Sequence, residues 1–112
     1  MEIGQALTNM IKSELGSKVF STGSQGFHGC GKITVEGVRY QASCQAVLVG
    51  SKDDPSMSLL ASLEEISAAL AGLVVDGLQA RRFSTGRTGF RADGKAQAAG
   101  QRFQASVQAV RL

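Results

Sequence analysis

The chain has 112 residues, and its net charge of +3, 43% apolar content and 19% charged content indicate one globular domain with a modest core rather than a disordered chain. It has no apolar run of about 18 residues and no charged-then-apolar leader with a small-residue cleavage site, so we expect no membrane span and no secretory signal. The cytoplasm is then the default compartment.

The most informative feature is an internal repeat. Residues 1–49 and 64–112 align without a gap at an offset of 63, and 21 of the 49 paired positions are identical. A repeat of this size is one supersecondary unit, which buries its apolar face against its twin. The sequence therefore predicts a single domain, 1–112, that contains a first unit over 1–49, a linker and the start of the second helix over 50–62, and a second unit over 63–112.

Each unit begins with an amphipathic helix. The apolar residues follow the i, i+4, i+7, i+8 spacing of one helical face. They are Ile3, Leu7, Met10, Ile11 and Leu15 in the first copy, and Ile66, Leu70, Leu73, Val74 and Leu78 in the second.

The start of the second helix has two candidates. Ser62 and Glu65 have the spacing of a capping box. Pro55–Ser56 offers an earlier start, which would extend the helix over Met57, Leu59 and Leu60. Turn-forming residues alone assign 50–56, GSKDDPS, to the linker.

A short strand follows each helix, ending at Phe20–Ser21 or Phe83–Ser84, with a turn at Thr22–Gly23 or Thr85–Gly86. A hairpin comes next, and a two-residue turn at Glu36–Gly37 separates its side chains into an apolar or small face and a polar face, as in a half-covered antiparallel hairpin. The predicted partners on the apolar face are Val35–Val38, Ile33–Tyr40, Gly31–Ala42, Gly29–Cys44 and Phe27–Ala46. In the second copy, a turn at Ala99–Gly100 pairs Ala96 with Phe103 and Lys95 with Gln104.

The apolar face of each hairpin consists mostly of glycine and alanine, which allow a helix to approach closely. We therefore predict an α+β fold built by tandem duplication of an α-β-β-β unit. Both helices should lie on one side of an antiparallel sheet, and an approximate two-fold axis should relate the halves.

Charge is segregated along the chain. The net charge is +2 over residues 16–49 and +6 over 79–112, whereas the remaining residues sum to −5. A basic surface of this kind indicates an anionic partner. The alternative is a solvated face whose charge only keeps the protein soluble.

The polar row on the second strand of the hairpin is repeated without change. The row Arg39, Gln41, Ser43, Gln45 recurs as Arg102, Gln104, Ser106, Gln108, and Lys32 recurs as Lys95. A polar face drifts freely unless something contacts it, so a partner, or packing between halves or subunits, would explain the retention. Lys and Arg neutralise phosphate, and Gln donates hydrogen bonds to phosphate, sugar or base edges. The candidate nucleic-acid-binding residues are Lys32, Arg39, Gln41, Arg87, Arg91, Lys95, Arg102 and Gln104.

Aromatic residues complicate this hypothesis. Platforms that bind single strands usually stack bases on aromatic rings. The predicted faces direct Phe27, Tyr40, Phe90 and Phe103 inward. Of the glycine loops STGSQG and STGRTG, only the second offers a phosphate contact, Arg87, and both are otherwise interpreted as turns.

Other chemistries have little support. Gly26 and Gly31–Lys32 match the first part of a P-loop, but a strand follows where a phosphate-binding helix should begin, which argues against nucleotide hydrolysis. The hairpin places Cys44 on the opposite face from His28 and Cys30, which argues against a metal site or a disulfide, so both cysteines are interpreted as reduced thiols. No nucleophile has an adjacent base, so we expect a protein that is not an enzyme and uses no cofactor.

The first hypothesis is a small nucleic-acid-binding module for single-stranded DNA or RNA that uses the basic polar sheet face. The alternative is a protein–protein interaction module or a self-assembling adaptor without catalytic activity, which could form a homo-oligomer. A mobile-element accessory protein would be one example. For that alternative, the last strand, which precedes Leu112, would be an exposed edge open to β-augmentation.

Overall fold

Within the described residues, two helices and six antiparallel strands form an α+β fold, as the sequence predicts, and the strands belong to one sheet. The structure is a computed structural model in which residues 2–54 and 56–112 are described. Its elements are α1 (Ile3–Glu14), β1 (Gly16–Val19), β2 (Gln25–Val35), β3 (Val38–Leu48), α2 (Leu63–Gly77), β4 (Gln79–Arg82), β5 (Thr88–Ala98) and β6 (Gln101–Arg111). None of the helices in these described ranges is long and apolar enough to cross a bilayer.

The sheet is continuous, with the strand order β1-β2-β3-β6-β5-β4. Strand β6 lies in the interior, because it pairs with β3 on one side and with β5 on the other. The hypothesis that the last strand is an exposed edge is therefore wrong, since both of its backbone edges already carry ladder hydrogen bonds. The strands at the two edges are β1 and β4, each four residues long.

The predicted hairpin register is confirmed pair for pair. Strands β2 and β3 align Val35 with Val38 at the turn and Gly29 with Cys44 in the middle, with the other predicted pairs between them and beyond. Both turn residues have left-handed backbone angles, φ 50° at Glu36 and φ 79° at Gly37. This is the type I′ geometry, whose twist matches that of the flanking strands.

The second hairpin repeats this arrangement. Ala96 pairs with Phe103 and Lys95 with Gln104, as predicted. The turn residues Ala99 and Gly100 have φ angles of 52° and 75°. The second turn therefore has the same type I′ geometry, although an alanine occupies its first left-handed position.

Helix α2 begins at the predicted capping box. The Ser62 hydroxyl accepts a hydrogen bond from the Glu65 backbone N–H at 3.1 Å, and the Ser62 N–H donates to the Glu65 carboxylate at 3.0 Å. The alternative start at Pro55–Ser56 is wrong, because Met57, Leu59 and Leu60 precede the helix; Pro55 itself lies outside the described residues. The cap satisfies N–H groups that would otherwise lack a partner, which fixes the helix start.

The hydrophobic core combines buried residues of both helices with buried residues of the central strands. A Cβ atom added at Gly94 would come within 2.8 Å of the Leu73 side chain on α2, and one at Gly29 would lie 3.0 Å from the Glu14 backbone at the end of α1. Both glycines therefore permit the close helix packing that the sequence predicts. The largest fully buried side chains include Leu7, Ile11, Ile66, Leu70 and Phe103.

Candidate functional site

The polar side chains of the central strands lie outside this core. On β3, Ala42, Cys44 and Ala46 are buried, whereas the alternating polar residues are exposed or half-buried. We call the surface that bears these polar residues the polar face. Its central members are Arg39, Gln41, Ser43 and Gln45 on β3, and Arg102, Gln104, Ser106 and Gln108 on β6.

Five of the eight predicted site residues extend into solvent from the polar face. Lys32, Arg39, Lys95, Arg102 and Gln104 are exposed, and Gln41 is half-buried beside them. The register brings Lys32 directly opposite Gln41, and Lys95 directly opposite Gln104.

The two glutamines make equivalent contacts. The Gln41 amide donates to the Gly31 carbonyl and the Gln104 amide to the Gly94 carbonyl, each at 3.4 Å. Each side-chain amide is thus held across its strand pair, next to a lysine. The result is a pair of sites, one per half, that combine a cation with a side-chain hydrogen-bonding group.

Arg91 also lies on this face, but its charge is compensated. It forms two 2.8 Å hydrogen bonds to the Asp93 carboxylate, and it donates to the Gln108 side chain at 2.7 Å. The hydrogen bond from Arg91 lowers the pKa of Asp93, and that same bond raises the pKa of Arg91. Arg91 is therefore less available to an anion than the other predicted cations.

Arg87 is separate from the central group. It is exposed in the turn between β4 and β5, where its guanidinium donates to the Arg111 carbonyl at 3.2 Å. Its own carbonyl accepts a 2.8 Å hydrogen bond from the Phe83 N–H. Arg87 thus lies beside Phe83 in the turn, with its guanidinium against the end of β6.

Two aromatic rings at the ends of the edge strands were missed by the sequence reasoning. The Lys18 ammonium lies 5.6 Å from the centre of the Phe20 ring, and the Arg81 guanidinium lies 5.7 Å from the centre of the Phe83 ring. Both distances are within the range of cation–π attraction. Both rings are half-buried, so each has part of its surface open to solvent.

The alternation of side chains places these rings. Lys18 pairs with Gly26 in the strand register, two positions from His28, which is itself opposite Gln45 of the polar face. Phe20 follows Lys18 by two residues and so lies on the same side of the strand. The signal was present in the sequence, because the FSTG segment is identical in the two copies.

The aromatic residues predicted to face inward form two pairs. Phe27 and Phe103 are 3% and 0% exposed, with ring centres 6.0 Å apart and planes tilted by 58°. Tyr40 and Phe90 are only half-buried, with ring centres 6.1 Å apart and a tilt of 57°. All four rings therefore pack in pairs, but only one pair is fully covered.

The cysteines lie on opposite sides of the hairpin, as predicted from its register. Cys44 is buried and Cys30 is exposed, and both are free thiols. Burial raises the pKa of Cys44 to about 11, so this thiol stays protonated at neutral pH. Partial burial, followed by the nearby charge of Lys18, lowers the pKa of His28.

Metal ligands do not converge within the described ranges. Across residues 2–54 and 56–112, no three His, Cys, Asp or Glu side chains are grouped so that they could hold an ion. Comparison with known protein families, characterised proteins and solved structures found no significant match to this chain.

Proposed function

We propose that this protein is a small, non-catalytic module of the cytoplasm that binds single-stranded DNA or RNA across its polar face. The observation that carries the proposal is the pairing of a cation with an aromatic ring at both edges of the sheet, Lys18 with Phe20 and Arg81 with Phe83. Bases stack on aromatic rings while cations neutralise the adjacent phosphates. These two pairs supply the aromatic component that the central strands lack.

The remaining site residues fit the same ligand. Arg39, Arg102, Lys32 and Lys95 are exposed cations of the same face. The register places Arg39 at the Phe83 end of the sheet and Arg102 at the Phe20 end, and a neighbouring strand fixes the backbone of each. The Arg39 carbonyl accepts from Leu112, and the Arg102 carbonyl accepts from Val49, each at 2.9 Å. A strand of nucleic acid that crosses β3 and β6 would pass the polar side chains in the middle of these strands, with the four cations on either side of it.

We further propose that the molecule is a tandem duplication with an approximate two-fold axis and with both helices on the side opposite the polar face. The register of β3 and β6 supports the axis, because Cys44 pairs with Val107 and these two positions are 63 residues apart. The contacts of the glycine-rich row with both helices support the helix placement. Under this arrangement, the nucleic-acid site is itself duplicated, with equivalent halves on either side of that central pair.

The test is a fluorescence-anisotropy titration with single-stranded DNA, single-stranded RNA and duplex DNA at several salt concentrations. Single strands should bind more tightly than duplex, and log affinity should fall with log salt by about 0.7 for each phosphate contacted. The double variant Arg39→Ala/Arg102→Ala should reduce that slope by about 1.4, since two contacts are lost. Removing the rings in Phe20→Ala/Phe83→Ala should weaken binding by about 1–3 kcal/mol per stacked base and leave the slope unchanged.

Lys12→Ala/Lys52→Ala is the matched control. It removes the same charge from exposed positions on α1 and in the linker, and the salt slope should stay at its original value. If the two cation variants lost the same amount of salt slope, only net charge would matter, and this result would refute a site on the polar face. A stable oligomer in light scattering that shields Arg39 and Arg102 would instead support the self-assembly alternative.

A further inference from the structure

The two aromatic pairs of the apolar side have the same geometry but different surroundings. Phe27 and Phe103 occupy positions that correspond, at the offset of 63, to Phe90 and Tyr40. The ring separations are 6.0 and 6.1 Å and the tilts are 58° and 57°, so the two pairs match in both measures. Yet the first pair is buried and the second is only half-covered. A part of the chain therefore covers the first pair of rings, and no equivalent described part covers the second pair.

The chain's own linker lies next to the first pair, because Gln25 and Gln101, which hydrogen-bond to it, precede Phe27 and Phe103 by two positions in their strands. Residues 56–62 are not helical, and Met57, Leu59 and Ala61 pack against the core that includes Phe27 and Phe103. The alternating positions of these three residues mean that one side of an extended segment faces the core. The linker is thus an extended apolar peptide bound in a groove.

Side-chain amides hold this segment by its backbone. Gln101 accepts from the Leu60 N–H at 2.9 Å and donates to the Ser58 carbonyl at 2.7 Å, and Gln25 donates to the Met57 carbonyl at 2.6 Å. Leu59 lines a small cavity together with Gln25 and the edge strand β1. The corresponding positions in the other half are Val38 and Thr88, so a segment bound there would rely more on apolar contact.

The second aromatic pair lies in an open groove. Two adjoining cavities of about 770 and 440 Å³ meet at Tyr40 and Phe90, and we call them together the Tyr40–Phe90 groove. The larger one is lined mainly by apolar side chains of α1, α2 and the first hairpin: Ile3, Val35, Val38, Val74, Val75 and Leu78. Val75 is 80% exposed at its margin. None of the described residues covers this groove as the linker covers its counterpart.

The bound linker indicates the chain direction that an occupant would take. Upstream of its apolar residues, the Lys52 carbonyl lies 3.9 Å from where a Cβ of Gly23 would be, at the turn that precedes Gln25. Downstream, the segment ends at Ser62, the N-cap of α2. An occupant of the Tyr40–Phe90 groove would correspondingly run from the turn before β5 towards the N-terminus of α1.

The charges along this path are opposite at the two ends. Arg82 and Arg111 line the part of the groove near the turn before β5, and Glu2 and Glu36 line the part near α1. Acidic residues before the apolar contacts would match the arginines. The linker has this order, because Asp53 and Asp54 precede Met57 and Leu59.

We infer that the Tyr40–Phe90 groove binds an extended peptide segment of a partner protein, with two apolar side chains two positions apart and acidic residues on their N-terminal side. The occupant has the chemistry of the linker, and its contacts are on the helix-bearing side of the sheet. Peptide binding here does not depend on the polar face or on nucleic acid.

The probe is a synthetic peptide with the sequence of residues 51–62, SKDDPSMSLLAS. Tyr40 is the only tyrosine in a chain without tryptophan, and the peptide has no aromatic residue, so the tyrosine fluorescence of the mixture reports on the groove alone. We expect a saturable change in this fluorescence. A control peptide with Asp in place of the Met and of the first Leu, which correspond to Met57 and Leu59, should bind at least about tenfold more weakly, a difference of 1.4 kcal/mol.

Val75→Asp tests the location, because this exposed side chain can be changed without disturbing the core. It should weaken peptide binding at least about tenfold, whereas the matched control Leu60→Asp, 68% exposed and outside the groove, should not. The Arg39→Ala/Arg102→Ala variant should bind peptide normally, which separates this inference from the proposed function. The inference would be overturned if millimolar peptide caused no change in fluorescence, or if Val75→Asp bound the peptide as tightly as the parent protein does. It would also be overturned if the Tyr40 signal depended only on protein concentration, because a second copy of the chain would then be the occupant.

Discussion

The second hairpin turn should be improved by a single substitution, Ala99→Asn. Ala99 has φ 52°, in the left-handed region where an L side chain crowds the following carbonyl, at a cost of about 1–2 kcal/mol. Its side chain is exposed, so no packing is lost on replacement. Asn tolerates this conformation better, and Asn-Gly is the preferred dipeptide for a type I′ turn.

The expected gain is about 0.5–1 kcal/mol, since Asn relieves only part of the strain. For a chain of this length, 1 kcal/mol of added unfolding free energy raises the thermal unfolding midpoint by roughly 4 °C. The midpoint of the Ala99→Asn protein should therefore rise by about 2–4 °C. Glu36→Asn in the first turn, where φ is 50°, should add a similar amount, because distant sites contribute independently.

Thermal and urea unfolding followed by circular dichroism would measure both effects. Gly100→Ala provides the opposite control: its φ of 75° requires glycine, so the added methyl group should cost about 1–2 kcal/mol. An Ala99→Asn protein that is no more stable than the parent, or a Gly100→Ala protein that is unaffected, would mean that these turns are not type I′ in solution.

Two further predictions concern burial in the first hairpin. Iodoacetamide should alkylate the native chain once, at exposed Cys30. Buried Cys44 should react only after denaturation, because its pKa of about 11 also keeps the thiol protonated. Mass spectrometry that finds both thiols modified at the same rate would contradict this prediction. Gly26→Ala should destabilise the fold by more than about 1 kcal/mol, because its Cβ would overlap the Ala46 carbonyl. Gly16→Ala, where the Cβ meets nothing within 4 Å, should stay within about 0.5 kcal/mol of the parent, and similar losses in the two variants would refute the packing argument.

Local patterns were sufficient to predict the hairpins. Alternation in β2 and β3 has a period of two, so once Glu36–Gly37 is the turn, every partner down to Phe27 and Ala46 is determined. The start of α2 was equally local, since the Ser62 cap needs only a residue three positions later.

Features that depend on distant parts of the chain were not predicted. The pairing of β3 with β6 joins strands from the two halves, and no short-range pattern distinguishes it from an exposed β6 edge. Phe20 was missed because side-chain alternation was used to assign the faces of the hairpins and not of the short strand, which was predicted to end at Phe20–Ser21 and in fact ends at Val19. The linker looked like a helix start at Met57 because its apolar spacing is equally compatible with an extended segment on a core.

The position of β3 and β6 at the centre of the sheet has a consequence for how the protein behaves at high concentration. Both are 11-residue strands rich in alanine and glutamine, a composition that stacks readily into cross-β fibrils when its backbone is free. Here that backbone is fully paired, and the margins are four-residue strands that carry Lys18, Arg81 and Arg82. Short, positively charged margins repel a second sheet, so the fold protects its most fibril-prone segments by enclosing them.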